Sequence, residues 1–168
     1  EIDSVGREWR YGYDENLRLE SLKDPEGGLI QYSYDGLGRL RKEIRNITYG
    51  GIPTKYETIY TYDSNGNLLS VQDPNGNITK YEYDSKDRLI KIEYPDGSTE
   101  EFTYDRNDRL IHYKDQNGTV VTNKYDSSGN LIRRDIARAE GVEGSTFEIF
   151  SYDGLGRLRK EIRNITYG

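Results

Sequence analysis

Few residues in this chain could carry chemistry, and most of them stand in company that does not suit catalysis. His112 is the only histidine and sits between Ile111 and Tyr113. Ser-His-Asp and Cys-His arrangements need a base held against a nucleophile. There is no cysteine, and nothing in the sequence positions a partner for that one imidazole. Adjacent carboxylates such as Glu100 and Glu101 could serve glycoside hydrolysis, but among 30 acidic residues such pairs arise by chance. The sequence therefore predicts no catalytic residue, no enzyme activity and no cofactor.

Two binding chemistries deserve weighing. The runs DSNGN at Asp63, DPNGN at Asp73 and DQNGT at Asp115 share the Asp-x-Asn-Gly start of a calcium loop. Such a loop needs further oxygen ligands and a bidentate Glu at its twelfth position. Counting from Asp63 that position holds Pro74, and from Asp73 it holds Asp84. Turn formation accounts for these residues, so no metal is predicted. Glycan binding is the other candidate, because an aromatic face flanked by polar groups suits a sugar ring. Trp9 and Tyr11 beside Arg10 are the best residues for it, against the alternative that these rings pack between strands.

The elements that would position any such group come from a repeat. A Tyr-Asp pair, three residues, Arg or Asn, then Leu recurs at Tyr13, Tyr34, Tyr62, Tyr83, Tyr104, Tyr125 and Tyr152. The steps are 21, 28, 21, 21, 21 and 27 residues. A fixed period of this size marks an array in which each unit buries its face only against its neighbours. The expectation is one array over 1–168, with function in the assembled surface.

Each 21-residue unit holds two turns. Turn-forming tetrads start at Asp63, Asp73, Asp84, Tyr94, Asp105, Asp115 and Asp126, alternately 10 and 11 residues apart. Turns at that spacing between β-favouring runs predict an all-β fold of tandem antiparallel hairpins. The first Asp can cap the turn, and the fourth position must tolerate positive φ. That position holds Gly38, Gly66, Asp87, Asp108, Gly129 and Gly156, but Leu17 in the first copy, where an irregular hairpin is expected. Residues two apart share a strand face, so Tyr60 with Tyr62, Tyr81 with Tyr83, and Phe102 with Tyr104 form an aromatic stripe. Asn123 alone breaks the aromatic position two before the motif Tyr. The two longer units predict extended hairpins at about 40–61 and 131–151. Their tips are expected at Gly50-Gly51-Ile52-Pro53 and around Ala139 to Gly144.

Composition agrees with a thin structure. Leu, Ile, Val and Phe total 36 of 168 residues, and 16 Tyr supplement them. Many half-buried side chains around a thin, Tyr-rich core are expected. The net charge of −6, with both signs interspersed, argues against nucleic acid, which requires a basic stripe. No apolar run reaches membrane-spanning length, so no membrane insertion is predicted. The absence of cysteine fits the cytosol and equally fits bacterial proteins that fold outside the cell.

Residues 33–50 and 151–168 are identical, offset by 118. Five small units thus form one larger period, and a start at Glu1 without Met suggests a segment of a longer protein. The last segment should be a strand without its hairpin partner, a template for another chain. Self-association through 151–168, as a dimer or an open chain, is the resulting expectation.

The runs YDGLGRL at Tyr34 and Tyr152 and YDSNGNL at Tyr62, with the lead-ins Tyr60-Thr61-Tyr62 and Tyr81-Glu82-Tyr83, resemble the YD or Rhs repeat. Seven in-phase copies carry the resemblance over nearly the whole chain, with Asn67 and Asn130 in place of Arg, and Asp87 and Asp108 in place of Gly. That family comprises bacterial Rhs polymorphic toxins, wall-associated proteins and teneurin-like YD shells. The resemblance implies a twisted, spiralling β-strip forming part of a shell, and a secreted or cell-surface, bacterial setting. It implies as partners neighbouring repeats and a toxin or cargo domain of the parent protein, or glycans if the repeat serves adhesion. The implied structural motif residues are Tyr34, Asp35, Gly38, Tyr62, Asp63, Gly66, Tyr83, Asp84, Tyr104, Asp105, Tyr125, Asp126, Gly129, Tyr152, Asp153 and Gly156.

Overall fold

A turn closes every ten or eleven residues through the regular part of the chain, and the strands between them pair in sequence order. The computed structural model describes residues 8–49, 52–139, 141 and 144–166. Among these residues there are fourteen strands and no helix. They fall into two compact units that divide between Lys80 and Tyr81.

The first unit is built from β1 (Arg10–Tyr13), β2 (Leu19–Lys23), β3 (Leu29–Tyr34), β4 (Leu40–Tyr49), β5 (Ile52–Tyr62), β6 (Leu68–Gln72) and the start of β7 (Ile78–Tyr83). Each pairs antiparallel with the next. The second contains β8 (Leu89–Glu93), β9 (Thr99–Tyr104), β10 (Leu110–Lys114), β11 (Val120–Tyr125), β12 (Leu131–Ala137), β13 (Gly144–Tyr152) and β14 (Leu158–Thr166). These also pair antiparallel in order. In the longer units β4 and β5 reach 10 and 11 residues, and β13 and β14 reach 9 each. The expected tip residues Gly50, Gly51, Glu140, Val142 and Glu143 lie outside the described residues.

One backbone pattern makes every turn that starts at a motif Asp or at Asp24, Asp73, Tyr94 or Asp115. At Asp35 the amide donates to the Arg39 carbonyl (2.9 Å), and the Gly38 amide donates to the Asp35 carbonyl (3.0 Å). This is a type I turn followed by a left-handed residue, a three-residue hairpin loop. The same two bonds recur from Asp14 to Asp153.

The first hairpin corrects one expectation. Leu17 adopts φ 60°, and the turn closes with the usual bonds, Asp14 N–H to Arg18 (2.9 Å) and Leu17 N–H to Asp14 (3.0 Å). The hairpin is regular because the Asp14 carboxylate still accepts from the amides of Asn16 and Arg18, and these bonds hold the leucine in a conformation its Cβ disfavours. The Leu17 side chain is 84% exposed, so it gains nothing by burial in return. Leu17→Gly should therefore raise stability by about 0.5–1 kcal/mol, the left-handed cost less the backbone entropy of glycine. Urea unfolding checks it through a higher midpoint at unchanged slope.

A second irregularity follows each Tyr-Asp turn whose flanking strands have described register. Ser33 lies opposite Lys42 but Tyr34 lies opposite Leu40, which leaves Arg41 as an extra residue. The same skip occurs at Glu20, Leu69, Ile111, Ile132 and Arg159. A bulge of this kind increases local twist and re-aims the side chains beside it.

In each unit the two faces differ. One carries the stripe: Tyr32, Tyr34, Tyr60 and Tyr62 in the first, Phe102, Tyr104, Tyr113 and Tyr125 in the second, all half-buried. The other carries ion pairs such as Lys42 with Glu57 (3.1 Å) and Lys91 with Glu82 (3.3 Å), and also the exposed His112. No hydrophobic side chain among the described residues is fully buried. A single layer covers a side chain only from its flanks, so the expected half-buried, Tyr-rich side chains are present, while the thin core they were expected to surround is absent among the described residues.

Candidate functional site

With no enclosed core, cohesion must come from contacts repeated between hairpins, and the Tyr-Asp-x-x-Gly-Arg-Leu residues supply them. In the first unit, Asp35 Oδ1 accepts from the amides of Leu37 (2.9 Å) and Arg39 (3.0 Å), while Oδ2 accepts from Arg39 Nε (2.7 Å). Held in this way, the Arg39 guanidinium lies 4.7 Å from the centre of the Tyr62 ring in the next motif. Its Nη1 donates to the Asp63 carbonyl at 2.8 Å. Tyr62 Oη reaches back to donate to the Leu40 carbonyl at 2.9 Å. Arg18, Asp14, Tyr34 and Leu19 repeat the arrangement, with the guanidinium 4.6 Å from the ring and the phenol 2.7 Å from the carbonyl.

The second unit holds the same clamp twice in succession. Arg88 pairs with Asp84 (2.5 Å), lies 4.8 Å from the Tyr104 ring and donates to the Asp105 carbonyl at 3.1 Å. Arg109 pairs with Asp105 (2.7 Å), lies 4.8 Å from the Tyr125 ring and donates to the Asp126 carbonyl at 3.2 Å. Tyr104 and Tyr125 donate to the Leu89 and Leu110 carbonyls, each at 2.9 Å. Where Asn replaces Arg, Asn130 Nδ2 reaches Asp126 Oδ2 at 3.0 Å and keeps the turn. Tyr152 still donates to the Leu131 carbonyl at 2.9 Å. Asp153 caps its own turn and binds Arg157 at 2.8 Å.

The four parts do different work. Asp fixes the turn and aims Arg; Arg covers the next ring and ties down the next turn; Tyr returns a bond to the preceding Leu. The Gly position allows the turn, and where it holds Asp108 the carboxylate adds bonds from Arg88 (2.7 Å) and Lys86 (2.9 Å). A guanidinium suits this role because its planar fork can stack and bridge at once.

The motif carboxylates titrate low. The Arg88 hydrogen bond draws Asp84 down to about 2, against partial desolvation and with help from the Lys86 and Arg88 amides. For Asp35 the Arg39 amide leads, and for Asp63 the Asn67 amide side chain leads. These carboxylates are ionised more readily folded than unfolded, so their contribution is full above about pH 4 and is lost as pH falls toward 2. Acid titration of unfolding should show that loss, and Asp84→Asn should reduce its steepness while lowering stability at neutral pH.

The remaining candidates occupy other places. Trp9 is half-buried just before β1, and Tyr11 on β1 is 43% exposed. A shallow depression of about 490 Å³ beside β1 is lined by Glu8, Arg10, Lys23, Asp24, Pro25, Glu26 and Gly27, not by those two rings. Asp73 and Asp115 use their carboxylates on turn amides, as Asp63 does. Glu100 accepts from Tyr94 (2.9 Å) and Tyr113 (3.2 Å), while Glu101 faces the other way toward Lys114 (3.7 Å).

Sequence reasoning missed the guanidinium–ring stacking and the phenol–carbonyl bond, because both join residues 15 to 23 positions apart. It also missed a polar row in the second unit. Asn123 lies opposite Arg134, Arg134 opposite Glu148, and Glu148 opposite Arg163. Arg134 bonds Asn123 (3.3 Å) and Glu148 (2.9 Å), and Arg163 reaches Glu148 at 3.4 Å. The available signal was Asn123 itself, the one non-aromatic residue at its repeat position.

A family model described as teneurin YD-shell matches residues 28–167. No curated protein matches the chain. Among solved structures, TcdB2-TccC3 without its hypervariable C-terminal region is similar over 94% of this chain, with a TM-score of 0.74 and 19% identity. TcdB2-TccC3 is similar over 95%, at 0.73 and 16%. A Photorhabdus luminescens Tc holotoxin pore carrying a TccC3 mutation is similar over 94%, at 0.74 and 19%. The chain spans 9% of the length of each of these. At such identity the likeness is one of fold.

Proposed function

Because the chain belongs to the teneurin YD-shell family, we propose that it is a non-catalytic section of wall in the β-shell of a longer secreted or cell-surface protein, where the wall encloses a toxin or other cargo domain. The observation that carries this reading is the use of the motif. Tyr, Asp and Arg are the residues that chemistry would need, and they are engaged with one another and with the backbone of the next hairpin. The repeat thus spends its polar groups on continuity of the wall. Its partners are the preceding and following repeats on its edges and the enclosed chain on one face.

Electron microscopy of the parent protein, with the segment marked by a bound antibody fragment, tests the reading. A hollow particle with the label on its wall and protease-resistant density inside is expected. An extended stalk with no lumen would sink it. A second reading, an extracellular carbohydrate-binding repeat for adhesion, draws support from the exposed rings of Tyr11 and Tyr13 on β1, 43% and 59% accessible. Binding on a glycan array that Tyr11→Ala abolishes would favour it over the wall.

A further inference from the structure

We propose that a depression on the aromatic face of the first unit, over β4 and β5, binds an uncharged saccharide. The inference rests on the carbohydrate-binding reading and sets its contact away from β1. The depression holds about 390 Å³, and Glu43, Arg45, Tyr56, Thr58, Tyr60 and Pro74 are among the residues that line it. That volume suits a small ligand.

The shape follows from unequal strand lengths. β6 stops at Gln72, opposite Ile59, so Tyr56 and Thr58 on the longer β5 lie past its end. Pro74, in the turn after β6, bounds that side in place of a strand. Thr58 is the small residue between the rings of Tyr56 and Tyr60, whose positions on the strand are about 13 Å apart. Across the pair, Glu43 lies opposite Thr58 and Arg45 opposite Tyr56.

The site is marked by polar groups that the wall does not use. Tyr34 and Tyr62 donate their hydroxyls to the Leu19 and Leu40 carbonyls. The hydroxyls of Tyr56 and Tyr60 have no hydrogen-bond partner among the described residues. At the repeat position of Tyr60 the second unit carries Phe102 and Phe150, so a ring alone serves the wall there. Burial raises the Tyr60 phenol above its usual value, and the Glu43 charge adds to this, so the hydroxyl keeps its proton and remains a donor. Arg45 donates through Nε to Glu43. Its two Nη atoms and the other Glu43 oxygen have no further partner among the described residues.

The ligand class follows from this set. Aromatic faces cover the C–H side of a pyranose, while phenol, guanidinium and carboxylate bond its rim of hydroxyls. Glu43 and Arg45 cancel in charge, and the chain carries −6 overall. An uncharged sugar is therefore favoured over a sulfated or sialylated one.

Calorimetric titration of the chain with maltohexaose, cellohexaose and a β1,4-linked galactohexaose, and with heparin as the anionic comparison, tests the proposal. At least one neutral probe should bind with a dissociation constant of about 0.1–1 mM. Tyr56→Ala and Arg45→Ala should each weaken it about tenfold. Tyr60→Phe, which removes only the hydroxyl, should weaken it about threefold while the urea midpoint stays in place, so misfolding cannot account for the loss. No neutral probe binding below about 10 mM, heparin binding in preference, or affinity unchanged in Tyr56→Ala and Tyr60→Phe would overturn the proposal. Loss of sugar binding in Tyr11→Ala but not in Tyr56→Ala would overturn this site and leave the carbohydrate reading standing, whereas silence from every probe would remove both.

Discussion

Replacing Arg109 by Ala should lower the stability of the chain by about 2 kcal/mol, a large effect for a side chain on a surface with no enclosed core. The loss has three sources in one residue. The guanidinium lies over the Tyr125 ring at 4.8 Å. Its Nη1 bonds the Asp126 carbonyl at 3.2 Å, and its Nε bonds Asp105 at 2.7 Å. The side chain is 26% accessible, so water replaces these contacts only in part. Arg109→Lys should recover little, because an ammonium cannot stack flat and bridge two acceptors in a fork. Urea unfolding of the three proteins measures this. A change within about 0.5 kcal/mol, the usual range for an ordinary surface site, would show that the clamp is decoration.

Gly76→Val should cost about 2–3 kcal/mol, and the damage should stay local. Gly76 has φ +88° in the turn between β6 and β7. A Cβ there would meet Gln72 Nε2 at an ordinary 3.8 Å, so collision is not the cause. The cost lies in the backbone, since a β-branched residue is the least able to hold positive φ. Gly76→Asn, with a side chain tolerant of that region, should lose much less. Near-neighbour stability confines the effect. Amide exchange should quicken in β6 and in Ile78 to Lys80, while β2 and β3 keep their protection. A uniform loss would mean that the unit unfolds as a globular domain does.

The contrast between these two sites shows what the sequence made legible. Turns were legible because Asp, Gly and their spacing act within five residues, and alternation was legible because Tyr81 and Tyr83 must share a face. Leu17 was misjudged for an instructive reason. The residue at the left-handed position was read as setting the turn, whereas the Asp14 carboxylate and two backbone bonds set it and the leucine complies. The bulges at Arg41, Leu69 and Ile111 left no mark, since one extra residue in a strand alters no composition. The clamp was half legible. Arg39 and Tyr62 were each visible as motif members, but only pairing register brings residues 23 apart into contact. Glu148, 8% exposed beside Arg134 and Arg163, was equally hidden, because its neighbours come from two other strands.

Coupling between successive motifs is the claim on which the rest depends. The most direct measurement is a double-mutant cycle on Arg109 and Tyr125, with Arg88 and Tyr125 as the control pair, read by urea unfolding. Arg88 lies over Tyr104 instead, two motifs away from Tyr125 in sequence. We expect a coupling of about 1 kcal/mol for the first pair and none beyond error for the second. Additive losses for Arg109 and Tyr125, or equal coupling in both cycles, would contradict an array held together link by link.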